Sequence, residues 1–80
     1  MTPGELIKEY RKKRKMTQRQ VSDALSYPNP QFVSLLENKR SKLPEYSASA
    51  YCTVLKINPA TMKKSLVNEY VKYLESVGLK

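Results

Sequence analysis

Residues 17–40, which read TQRQVSDALSYPNPQFVSLLENKR, constrain this chain more than any other stretch. Pro28 and Pro30 stand between two segments with helical apolar spacing. Pro28 cannot continue a helix, and Pro30 drives Asn29 out of the α region into the extended geometry a helix cap needs. Asn29 then caps the second helix, with Pro30 at its first position. Thr17 caps the first, whose inward stripe is Val21, Ala24 and Leu25, with Gln18, Arg19, Gln20 and Asp23 outside. Ser22 is small and lets the second helix cross closely. That second helix turns Val33 and Leu36 inward and leaves Gln31, Ser34, Leu35 and Asn38 mostly outside, with Phe32 fitting either side.

Similar punctuation organises the rest. Thr2 caps an opening helix with Pro3 at its first position and Leu6, Ile7 and Tyr10 on its apolar face. A fourth helix runs from about Pro44 to Leu55, with Ala48, Tyr51, Cys52 and Leu55 on one face. Asn58-Pro59 repeats the cap-and-proline device and opens a last helix that reaches about Val77 and stops at Gly78. Five helices and no credible strand give an all-α bundle. Its 80 residues form one domain, near the lower limit at which a core holds without staples.

The last helix carries more apolar surface than its own domain needs. Leu66, Tyr70, Leu74 and Val77 suffice to dock it, yet Val67, Val71 and Tyr73 widen the arc beyond the ~100° stripe of a surface helix. The surplus predicts an isologous homodimer through Val67, Tyr70, Val71, Tyr73 and Leu74.

Charge narrows the function. Lys and Arg number 15 against 7 acids, for a net charge of +8. Ten basic and four acidic side chains fall in residues 1–42, and five and three in residues 43–80. The positive field therefore surrounds the proline-punctuated segment, as a polyanion-binding face requires. The run Arg11-Lys12-Lys13-Arg14-Lys15 reads as a helix-end or phosphate-facing cluster rather than a targeting signal. Enzyme chemistry finds no support. The chain has no His, and its single Cys52 sits on an apolar helix face. That leaves no nucleophile–base pair, no intrachain disulfide and no Cys/His metal site. With Gly4 and Gly78 the only glycines, there is no phosphate-cradling loop, and no metal or cofactor is expected. No apolar run reaches bilayer length and the N-terminus lacks a signal-peptide core, so a cytoplasmic location is expected.

Two short helices joined by a tight corner over residues 17–38 have the build of a helix-turn-helix, whose second helix enters the DNA major groove. From here the chain resembles the lambda-repressor-like family of Cro and xenobiotic-response-element type. The matching elements are Thr17-Gln18, Val21 and Leu25, Val33-Ser34, Leu36-Glu37, the basic loop closed by Pro44, and Leu55-Lys56-Ile57-Asn58-Pro59. They span roughly residues 4–75. There are three departures: Ser26 and Lys39 stand where the family commonly has Gly, and the corner is about one residue longer. Asn38 or Lys39 must then accept a positive φ.

The resemblance implies roles. Gln31, Phe32, Ser34 and Leu35 face base edges. A Gln amide pairs bidentately with adenine and an outward Leu suits a thymine methyl. Thr17, Gln18, Arg19, Asn29, Asn38, Lys39, Arg40 and Lys42 grip the sugar–phosphate backbone. The expected protein is a small repressor or autoregulator of phage, plasmid or bacterial type. It would bind an inverted-repeat operator in double-stranded DNA as a homodimer, with no small-molecule ligand. The alternative is an antitoxin-like or other protein-interaction module, which needs an apolar segment left over once the fold is built. Past Val77 only Gly78, Leu79 and Lys80 follow. An RNA-binding module would want exposed aromatics, whereas Tyr46, Tyr51, Tyr70 and Tyr73 fall at core or interface spacing.

Overall fold

The structure, a computed structural model, describes residues 1–79. Within them five helices follow in order: α1 Pro3–Lys13, α2 Gln18–Ala24, α3 Gln31–Glu37, α4 Glu45–Leu55 and α5 Pro59–Ser76. No strand occurs among the described residues. The expected caps set most of these bounds. Thr2 and Thr17 each form a capping box, accepting from the backbone N–H of Glu5 and Gln20 while those side chains accept from the cap N–H. The Asn58 carboxamide accepts from the Ala60 N–H at 2.8 Å.

The start of α3 differs from the sequence-based expectation. Pro30 (φ −79°, ψ 0°) completes the corner rather than opening the helix, which begins at Gln31. Pro30 itself takes the cap position, without a side-chain cap, so Asn29 lies one residue before the cap; its Oδ1 nevertheless accepts from the Gln31 N–H at 3.0 Å. Chain reversals after the helices use left-handed residues. Lys15, Ser26, Lys39 and Lys56 have φ between 55° and 62°, and none of the four is glycine.

The core is built from all five helices and their connections: Leu6, Ile7, Val21, Val33, Leu36, Leu43, Ala48, Tyr51, Leu55, Ile57 and Met62. Ser22 and Ser65 are buried with their hydroxyls donating to the carbonyls of Asn29 and Met1, so neither is left unpaired. Tyr51, fully buried, stands 3.5 Å from the Tyr27 hydroxyl, and burial pushes its phenol well above the usual range, keeping it neutral. Gly4 is where α1 crosses the end of α3, and a Cβ there would lie 2.0 Å from the Leu36 carbonyl oxygen. Gly4→Ala should therefore push the two helices apart and cost about 1–3 kcal/mol, measurable as a lower urea midpoint at unchanged slope.

Three expectations about faces are corrected. Ala24 is exposed rather than part of the α2 stripe, because this seven-residue helix meets the core through Val21, Ser22 and half-buried Leu25. Tyr46, expected at core or interface spacing, is 90 % exposed on the first turn of α4. Tyr70 and Val77 do not dock α5 on its own domain. That contact is made by Met62, Ser65 and Leu66, while Tyr70 and Val77 are exposed. At 1.5 Å per residue α5 is about 27 Å long. Its second half buries no residue fully, touching the rest of the domain through half-buried Glu69 beside Thr2 and Gly4 and through Tyr73 beside Lys42.

Candidate nucleic-acid interface

Three helices are tied together at a point the sequence reading did not single out. Glu37, the last residue of α3, is buried, and its carboxylate accepts from the Arg11 guanidinium at 2.7 and 3.0 Å. The same Arg11 donates to the Met16 carbonyl at 2.9 Å, and Gln18 donates its side-chain amide to Glu37 at 3.1 Å. α1, the start of α2 and the end of α3 thus share one charge pair. Local patterning held a clue. Glu37 lies four residues after Val33 and one after Leu36, on the inward side of α3, where an unpaired carboxylate is not tolerated. Gln18, expected outside, is accordingly half-buried.

This clamp fixes how α3 is presented. Val33 and Leu36 are held in the core, and the opposite side carries Gln31, Ser34, Leu35 and Asn38. Gln31 and Asn38 are exposed, Ser34 and Leu35 half-buried, and the Asn38 amide donates to the Ser34 hydroxyl at 3.3 Å. Phe32 is half-buried, standing edge-on to Tyr27 with ring centres 5.3 Å apart. Asn29, Gln31, Phe32 and Leu35 line one shallow depression of about 200 Å³ with Tyr27 and Pro28. Four of the expected contact residues are therefore brought together.

The loop after α3 gathers the cations. Lys39, Arg40 and Lys42 border a hollow of about 340 Å³ beside Thr2 and Gly4 at the start of α1. Lys39 adopts the positive φ expected of it or Asn38. Its ammonium lies 3.6 Å from Glu5, whose carboxyl is held below its ordinary range, chiefly by hydrogen bonds from Thr2 and also by Lys39. Lys42 places its ammonium 4.6 Å from the centre of the Tyr73 ring on α5. Both cations are exposed, and surface pairs of this kind are worth ~1 kcal/mol or less, so they remain able to engage an anion. Arg40 is exposed. On α2, Arg19 sits 3.9 Å from Asp23 one turn away, both in solvent, and Thr17 is committed to capping the Gln20 N–H.

Elsewhere chemistry is sparse. Partial burial raises the Cys52 thiol above its ordinary range, the direction that disfavours the thiolate. Among the described residues no three His, Cys, Asp or Glu side chains gather as a metal ion requires. No helix among them is long and apolar enough to cross a membrane. Comparison with models of protein families, with curated proteins and with solved structures finds no match to this chain.

Proposed function

We propose that this chain is a sequence-specific double-stranded DNA-binding regulator of the lambda-repressor-like helix-turn-helix kind, a small phage, plasmid or bacterial repressor that pairs on an inverted-repeat operator. One observation carries the reading. A short helix is anchored by Val33 and Leu36, presents Gln31, Ser34 and Leu35 on its other side, and runs straight into a loop bearing Lys39, Arg40 and Lys42. Base-edge chemistry beside phosphate chemistry is what sequence-specific recognition of a duplex needs. The net charge of +8 suits the same partner.

Within that reading α3 lies in the major groove, Gln31 reads a base pair and the loop fixes the register on the backbone. Gln31→Ala is expected to weaken binding to the preferred site by about 1–3 kcal/mol and relax the choice at one base pair per half-site. Binding to unrelated duplex should barely change. A uniform loss on every sequence would instead assign Gln31 to backbone positioning.

A second reading has one observation in its favour. The exposed apolar side of α5 suits a protein surface, as an antitoxin-like module would require. Selection of bound sequences from a random duplex pool separates the two. The DNA reading expects an inverted repeat with half-sites about one helical turn, ~34 Å, apart. A pool that enriches for nothing would favour the protein-interaction reading.

A further inference from the structure

Beyond Leu66 the outer side of α5 follows a regular rhythm. Val67, Tyr70, Leu74 and Val77 recur at intervals of three, four and three residues, the spacing at which two helices pack along their length. Val67, Tyr70 and Val77 are more than half exposed and Leu74 is half-buried. Val71 and Tyr73 flank them, also exposed. The rings of Tyr70 and Tyr73 stack with centres 6.5 Å apart, giving the stripe a preformed apolar plate. Lys72 falls on the opposite side of the helix, since 3.6 residues per turn set it roughly half a turn from the seam. The next seam position towards the N-terminus is Lys63, which closes the stripe.

We infer that this stripe pairs with the same stripe of a second copy in an antiparallel sense, with the two-fold axis beside residue 72. Val67 of each copy then meets Val77 of the other, and Tyr70 meets Leu74. The residue numbers allow this because the seam is symmetric about its own centre. Each central layer sets an aromatic ring against an aliphatic side chain. Parallel packing would instead set Tyr70 against Tyr70 and bring the two Lys63 ammonium groups together at the end of the seam. The antiparallel arrangement carries each Lys63 past Val77 of the other copy, towards the C-terminal end of that helix, where a cation is favoured. The contact is isologous and closes on itself.

Its size is adequate. A tyrosine contributes roughly 150–250 Å² when fully covered. Two half-exposed tyrosines per copy, with the aliphatic residues between them, bring the total to about 1,000 Å², where specific interfaces begin. The inference rests on the homodimeric part of the reading above and adds the seam, its direction and its register.

Cysteine cross-linking tests it on the full chain. In a Cys52→Ser background, one preparation carries Val67→Cys and another Val77→Cys. Both positions are exposed, and circular dichroism checks that each variant is folded. Under mild oxidation each preparation alone should stay reduced, and an equal mixture should give disulfide-linked pairs, since only Val67 and Val77 of opposite copies come within the ~3.5–4.5 Å between β-carbons that a disulfide spans. Linking within either preparation alone would show parallel packing. No linkage in any of the three would show that the face belongs to some other partner. Either result overturns the inference. A linked pair without affinity for duplex would sink the DNA reading and leave the antiparallel seam standing. A parallel pair that binds duplex would do the reverse.

Discussion

Arg11→Ala is expected to destabilise the fold by about 3–5 kcal/mol, because removing one partner of a buried ion pair leaves the other charge without compensation. The Glu37 side chain is only 1 % exposed, and Arg11 supplies both of its short charged contacts. A small domain holds about 5–15 kcal/mol in total, so the loss takes a large share. It should appear as a fall in melting temperature, at about 4–8 °C per kcal/mol for a chain of this size. Gln18 cannot replace the lost cation, since its amide is neutral and makes a single contact with Glu37 at 3.1 Å. Replacing both partners with apolar residues of similar volume should recover much of the loss. A loss below ~1 kcal/mol for Arg11→Ala would mean that the pair behaves as a solvent-exposed bridge.

The largest effect on the proposed activity should come from the loop. Changing Lys39, Arg40 and Lys42 together to Gln removes three cations that border one hollow. Each phosphate contact contributes about 0.9 to the slope of log K against log[salt], so the slope should flatten by roughly 2.7. At ~0.1 M salt that corresponds to a loss of several-hundred-fold in affinity. Lys39 leaves only the exposed Glu5 contact and Lys42 only the face of Tyr73, so folding stability should change little. The loss should be the same on preferred and unrelated duplexes, in contrast to Gln31→Ala. An unchanged salt slope would remove the loop from the interface.

Local chemistry was the legible part of this chain. Thr2, Thr17 and Asn58 announce helix starts through their own side chains, and each caps as expected. The inward positions of α1, α3 and α4 follow from spacing alone, as Ile7, Val33 and Tyr51 show. What spacing cannot supply is where the body of the domain ends. Periodicity gave α5 an apolar side but could not tell which of its residues the domain itself covers: Tyr70 and Val77 fit a docking stripe by spacing yet are exposed, while the Tyr70 side remains open for the expected seam. Ala24 was misplaced for a related reason, since a seven-residue helix has room for little more than one inward turn. The Arg11–Glu37 pair bridges 26 positions of sequence and belongs to no short motif. At the candidate interface, Gln31 and Leu35 were legible as outward residues on an otherwise anchored helix. The Gln18 contact with Glu37 was hidden because it depends on how α1, α2 and α3 meet.

The four left-handed residues carry an implication for how this chain divides its resources between endurance and electrostatics. Lys15, Ser26, Lys39 and Lys56 hold a conformation in which the β-carbon crowds the following carbonyl, at roughly 1–2 kcal/mol each. Glycine meets no such penalty, although it gives back part of the difference through the greater freedom of the unfolded chain. Three of the four residues are lysines, so strain relief at those corners would each time remove a positive charge. At Lys39 the charge lost would be one of the three at the loop hollow. The domain thus keeps some of its cationic character at the expense of thermal robustness, and selection for heat resistance alone would be expected to erode that character first at Lys15 and Lys56.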